Sequence, residues 1–167
     1  CADEATKQLI GETRVPVPAA PGRVGRFDFE YVRRGTANLV MVLEPLLGWR
    51  AVRVTERRTA TDFAELLRWL AEDVYAEAER IVLVVDNLNT HKPAVLYQAF
   101  PPERARAIAA KFEWHYTPNH GSWLNMAEIE LSALARQCLA QRLESMTTLQ
   151  EQVDAWETDR NGRTVVV

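Results

Sequence analysis

Five consecutive apolar residues, Ile81 to Val85, run straight into an acid, Asp86. An alternating strand can leave one face in water, whereas a continuous apolar run of strand length calls for cover on both faces. Helices packed on each side of a sheet give that cover, so the run predicts a layered α/β domain. The acid then emerges at the carboxyl end of the strand, where open α/β sheets hold their ligands. Asn87, Asn89, His91 and Pro93 crowd in just behind it. A lone Asp at this place is also the ordinary way for a strand to enter a turn, its side chain accepting from a following amide.

The rest of the chain supplies the layers. Residues 12–26 carry Pro16, Pro18, Pro21, Gly22 and Gly25 and read as a loop. Strands are predicted over 27–33 (FDFEYVR), 36–45 (TANLVMVLEP) and 49–56 (WRAVRVTE), the last two joined by a short turn at Gly48 and therefore antiparallel neighbours. From a cap at Thr61, Phe63, Leu66, Leu67, Leu70 and Val74 follow the spacing of one helical face. Pro93 suits the first turn of a short helix, and 111–118 (KFEWHYTP) alternates as a strand. A long helix is predicted from Ser122 with Leu124, Ala127, Leu131, Leu134 and Cys138 inward, and a last one capped by Thr147, with Gln150 three residues on and Leu149, Val153 and Trp156 inward. Trp114 and Trp123 are assigned to the core. With one more strand running into Asp3, the expectation is a mixed sheet, antiparallel in its first strands and parallel in its later ones, with helices on its faces.

Composition narrows the function classes. At 167 residues the chain is sized for one domain. It has no apolar run near the roughly 18 residues of a membrane span and no leader, so a cytoplasmic, bacterial protein is expected. Its two cysteines, Cys1 and Cys138, have no metal-type spacing, which argues against a disulfide framework or a thiolate zinc site. A net charge of −3 does not mark a dedicated nucleic-acid binder. Still, 17 of the 20 basic residues are Arg, the better fork for phosphate, although an Arg-rich codon usage gives the same bias. The opening CADEATKQ places an acidic pair at the very start without a Met, and a fragment of a longer protein is the expectation.

Three acids stand where chemistry is possible. Asp86 and Asp3 are expected at strand ends. Glu128, in HGSWLNMAEIELS, lies three residues from Asn125 on one helix face and about 40° around the helix from Leu124, beside the apolar stripe. Glu130 points farther away and is expected in solvent. Two strand ends and a helix flank can bring three carboxylates together, the oxygen set that hard divalent cations prefer. Two other readings use Asp86 differently. A metal-dependent phosphoester hydrolase with Asp86 as nucleophile normally wants an acid two residues later, where Leu88 stands. A single-metal site from Asp86, His91, His115 and His120 matches no closed zinc spacing.

The blocks CADE, VLVVDNLNTHK and YTPNHGSWLNMAEIELSAL, with YVRRGTANLVMVLEP between the first two, resemble the DDE transposases, specifically the insertion sequence 630 branch of the mariner-like group. The likeness runs from Cys1 to about Asn161, with 83 and then 42 positions separating the acids. It implies an RNase H-like fold and a single catalytic domain over residues 1–167. It also implies an upstream helix-turn-helix DNA-binding domain that this chain does not carry. The implied activity is DNA cleavage and strand transfer at transposon ends with two Mg2+ (or Mn2+) ions, on transposon-end and target DNA, as a homodimer when on DNA and away from membranes. By matching motifs, Asp3, Asp86 and Glu128 take the catalytic and metal-binding positions, with Asp86 bridging the ions.

Around them, Asn87 and Asn89 are candidates to orient Asp86 or a bound water, against plain turn chemistry. His91 matches the family's His after the Asp-Asn pair and is a candidate to touch phosphate or support a ligand. Asn119 and His120 precede the Glu128 helix, whose N-terminus can meet a phosphate, and Asn125 is a candidate from its place on the same helix face as Glu128. Arg33, Arg34, Arg57 and Arg58 are candidates for contacts to the DNA backbone, against solvated pairs. A folded but inactive transposon remnant is the non-enzymatic alternative.

Overall fold

Asp3 lies near the start of a strand and not at its end. The computed structural model describes residues 1–119 and 121–166. In it β1 (Ala2–Glu12) pairs antiparallel with β2 (Tyr31–Glu44), and β2 with β3 (Trp49–Thr55), in the order β1-β2-β3. Cys1 and Leu43 exchange backbone hydrogen bonds, and the register sets Asp3 opposite Met41. The two strands expected over 27–33 and 36–45 are one. β2 runs through Gly35, whose φ of +105° only glycine takes without strain, so the residue that reads as a break is absorbed. Residues 27–30 precede the strand. Phe27 keeps its alternating look but stays exposed, its ring under the Arg142 guanidinium at 5.5 Å.

A second sheet holds β4 (Ile81–Val85) parallel to β5 (Phe112–Tyr116), with Leu83 opposite Trp114. The single mixed sheet of the sequence reading is therefore two sheets, one antiparallel and one parallel. The reason lies on the free edge of β1. There the Asn125 side-chain amide donates to the Ala2 carbonyl (2.8 Å), and the Leu143 carbonyl accepts from the Ile10 N–H (2.7 Å). β4 lies next to β1 without a ladder between them among the described residues.

The apolar run is also covered less than expected. Leu83 and Val85 are buried, but Val82 is 59% exposed and opens with Val84 onto an apolar groove shared with Cys1, Leu46 and Met126. Helices cover β4 on one face only. That face belongs to a core in which Phe63, Leu66, Leu67 and Leu70 meet Val40, Val42, Leu83 and Val85.

Caps decide the helix limits. α1 (Ala60–Trp69) starts at Thr59, not Thr61, because only Thr59 has an acid three residues on. The Asp62 carboxylate accepts from the Thr59 N–H (2.8 Å), and the Thr59 hydroxyl accepts from the Asp62 N–H (3.3 Å). The helix ends in a wide π turn, Leu70–Val74. Pro93 opens a 3-10 turn (Pro93–Val95) leading to α2 (Leu96–Ala99) and α3 (Pro102–Ala110).

α4 (Met126–Gln137) is capped by Asn125, not Ser122; residues 122–124 form a separate 3-10 turn. That turn rotates Trp123 out of the core, to 69% exposure, and leaves Leu124 exposed as well. α5 (Met146–Gly162) is capped by Ser145, not Thr147, its hydroxyl accepting from the Thr148 N–H at 3.0 Å. Ala127, Leu131 and Leu134 of α4 and Leu149, Val153 and Trp156 of α5 form the second core against Leu39, Met41 and Leu43. Among the described residues no helix is long and apolar enough to cross a membrane.

Glu130, expected in solvent, is buried. Arg50 of β3 points into the same core, and a buried guanidinium needs a counter-charge. Glu130 meets the Arg50 Nε at 2.8 Å and takes a two-pronged contact from Arg160. Glu130→Ala strands Arg50 without its partner. It is expected to lower the unfolding free energy by about 3–5 kcal/mol, measured by urea denaturation; a loss below about 1 kcal/mol would show that the contact carries little.

Candidate active site

Side chains alternate along β1, so Asp3 and Ala5 face α4 while Ala2 and Glu4 face α1. Asp86 follows the last residue of β4, and Glu128 sits exposed in the first turn of α4, where the helix N-terminus favours a carboxylate. These three elements meet at one open cleft of about 350 Å³, lined by Asp3, Glu4, Ala5, Asp86, Glu128, Leu131 and Ser132. The acids feel one another. Burial, then the fields of Asp86 and Glu128, push the Asp3 carboxyl up from 3.8 to about 6, against the Glu4 N–H that donates to its Oδ1 (2.7 Å) and the nearby His91.

Asp86 is held on one oxygen. Its Oδ1 accepts from the Leu88 N–H (3.1 Å) and faces His91 Nδ1 at 2.6 Å. His91 is buried, its ring 4.5 Å from that of Phe63, and its Nε2 lies 3.5 Å from the Glu4 carboxylate. Glu4 lies 3.3 Å from the Arg58 guanidinium through its other oxygen. Both contacts of Glu4 are ion-pair distances without hydrogen-bond alignment, which leaves Glu4 Oε2 and His91 Nε2 buried without a hydrogen-bond partner. Burial alone would lower the imidazole's pKa; Glu4, then Asp86, outweigh it and raise it. Glu4 was not among the candidates from sequence. The signal for it was the alternation itself, since consecutive acids on a strand must face opposite sides.

The remaining candidates disperse. The Asn87 amide donates to the Thr117 carbonyl at 2.5 Å and ties the ends of β4 and β5 together. Asn89 is exposed and accepts from Lys92 (3.3 Å). Asn125 is buried between α4 and β1, and Asn119 is exposed in a turn. His120 lies outside the described residues. Arg33 is paired in register with Ile10, well along β1 from Asp3, and Arg34 and Arg57 are exposed; of the four arginines, Arg58 reaches the site through Glu4. His115 is exposed against Glu113 (2.8 Å), so the histidine metal site does not assemble. Among the described residues no three His, Cys, Asp or Glu side chains form a group that cages an ion.

A family model described as DDE superfamily endonuclease matches residues 1–150. The chain belongs to that family. No curated protein and no solved structure matches it significantly. Membership implies nuclease-type enzyme activity on DNA, in a family that generally uses divalent metals. The cleft suits such ions in its donors: of its four acidic residues, Glu4 is turned to Arg58 and His91, which leaves the carboxylates of Asp3, Asp86 and Glu128, with no thiolate and a like-charge repulsion at Asp3 that positive charge would relieve.

The raised Asp3 carboxyl, lifted by burial first and by its acidic neighbours second, has a measurable sign. Folded Asp3 keeps its proton up to about pH 6 while the unfolded chain releases it near 3.8, so the native state binds more protons between those values and loses stability as pH rises through them. Metal-free Asp3→Asn is therefore expected to match the parent chain near pH 4 and to melt higher at pH 7. The gain should be roughly 2–4 °C, as about 1 kcal/mol gives in a domain of this size once solvent screening is allowed for. Thermal unfolding at the two pH values checks it, and an unchanged midpoint at pH 7 would remove the raised Asp3 carboxyl from the account.

Proposed function

We propose that this chain is the RNase H-like catalytic domain of a transposase of the insertion sequence 630 branch, cutting DNA at transposon ends and joining them to target DNA. What carries the reading is the single cleft that Asp3, Asp86 and Glu128 line together. In this reading Asp3 and Glu128 would each hold one divalent ion, Mg2+ or Mn2+, and Asp86 would be shared, the ions supplying charge stabilisation for the attacking and leaving oxygens.

The chain's own residues supply position. Asp86 is fixed through Oδ1, with no protein partner on Oδ2 among the described residues. Glu128 projects from a helix start anchored to β1, and the cleft is open enough to admit a phosphodiester. Ser132, the one hydroxyl lining the cleft among the described residues, accepts from Arg136 (2.8 Å). In this reading the nucleophiles are water and then DNA. Water displaces the 3′ oxygen at phosphorus and leaves a free 3′-hydroxyl. That hydroxyl attacks a target phosphate, forming a new ester and releasing the target's own 3′-hydroxyl. Recognition of the ends belongs to a helix-turn-helix segment outside residues 1–167, and pairing of the ends to a homodimer on DNA.

The test is nicking of duplex DNA with Mg2+ or Mn2+ and with EDTA. Asp86→Asn and Glu128→Gln are each expected to reduce the rate by on the order of 10²–10³ or more. Turnover of a small phosphoester that survives Glu128→Gln would replace this reading with a hydrolase centred on Asp86. A folded, metal-binding chain that cuts nothing would make it an inactive remnant.

A further inference from the structure

A buried carboxylate with no part in the cleft chemistry needs an explanation, and Glu4 is one. It is 4% exposed on the α1 face of β1, a place where an apolar side chain would cost nothing to bury. Its partners are Arg58 and His91, and His91 is 1% exposed and held on every side. The His91 N–H donates to the Leu88 carbonyl (2.9 Å), its carbonyl accepts from the Tyr116 hydroxyl (3.0 Å), and its ring packs on Phe63. Asp86, in contrast, stands at a strand end entering a turn, where a carboxylate can take several rotamers.

We infer that Glu4 is a positioning residue for Asp86: it fixes the His91 ring from the Nε2 side, so that Nδ1 holds Asp86 Oδ1 and leaves Oδ2 for a ligand in the cleft. One carboxylate faces each nitrogen of the imidazole, Asp86 at Nδ1 within a hydrogen bond's length (2.6 Å) and Glu4 at Nε2 across 3.5 Å, and together they limit the ring's rotation. The inference rests on the metal-binding role proposed for Asp86. It adds that the acidic pair Asp3-Glu4 divides its work across the two faces of one strand, ligand on one side and support on the other.

The test is Mn2+ binding to the whole 167-residue chain by titration calorimetry, with metal-free thermal unfolding as a control for folding. Glu4→Gln, which keeps the shape, and His91→Ala are each expected to weaken Mn2+ binding roughly 10–100-fold. Glu4 acts only through His91, so the double variant should bind no more weakly than His91→Ala alone. If His91→Ala does not fold, Glu4→Gln against Asp86→Asn decides. Unchanged affinity in a folded Glu4→Gln, additive losses in the double variant, or a loss matched by an equal fall in the unfolding midpoint would each overturn the inference, and the role of Asp86 would stand. A parent chain that binds no Mn2+, or binds it equally well as Asp86→Asn, would instead overturn the functional reading beneath it.

Discussion

One buried amide joins the two halves of the cleft. Asn125 uses its oxygen to accept from the Ala127 N–H (3.2 Å), which caps α4, and its nitrogen to donate to the Ala2 carbonyl (2.8 Å). The first contact sets where the helix begins, and so puts Glu128 in its first turn. The second fixes that turn to the residue before Asp3. An amide has one acceptor and one donor group to place in these two directions, a demand that an ionised aspartate, which has no donor, cannot meet, and that a serine would have to meet from a single oxygen. The approach of Glu128 to Asp3 thus depends on a side chain that never reaches the cleft.

Bringing carboxylates together has a cost, and the fold carries it at the site. Asp3 is pushed toward its neutral form by burial and by its two neighbours. Stability is recovered away from the cleft, in two cores that sandwich the antiparallel sheet and in caps at Thr59, Asn125 and Ser145. This division is common where function requires like charges in one place. Asp86 likewise is not left to solvent: His91 holds it from behind, within a hydrogen bond's length.

What could be read from the letters follows from how local each signal is. Asp86 at a strand end, the inward faces of α1, α5 and, apart from Leu124, α4, and Pro93 in a first turn all depend on neighbours within a few residues, and they hold. The caps failed where two hydroxyls or amides stood within three residues of each other, as at Thr59 and Thr61 or Ser145 and Thr147. At Thr59 the reciprocal bond with Asp62 decides, whereas Ser145 caps through the Thr148 N–H without a reciprocal bond to its own N–H. Glu130 was misjudged because its partner, Arg50, arrives from a strand far back in the chain, and a helical wheel holds no record of that. The apolar run at 81–85 showed what β4 is able to bury; it did not show that helices would cover a single face and leave Val82 outside. Glu4 was passed over because the pair was read as one acidic cluster, when strand geometry had already separated its members.

α4 shows how a lock and a functional group can share one element. Glu128 and Glu130 are two positions apart, which on a helix is about 200° of rotation, so they point to nearly opposite sides. Glu130 is clamped between Arg50 of β3 and Arg160 of α5, and a buried pair of this kind is strongly directional because misalignment leaves a bare charge in the core. Fixing Glu130 fixes the rotation of the helix about its axis, and with it the direction in which Glu128 leaves. Asn125 sets the position of that helix along β1 and Glu130 sets its roll. Between them they determine where the backbone of Glu128 stands without touching its carboxylate, the group that would meet a ligand in the proposed site.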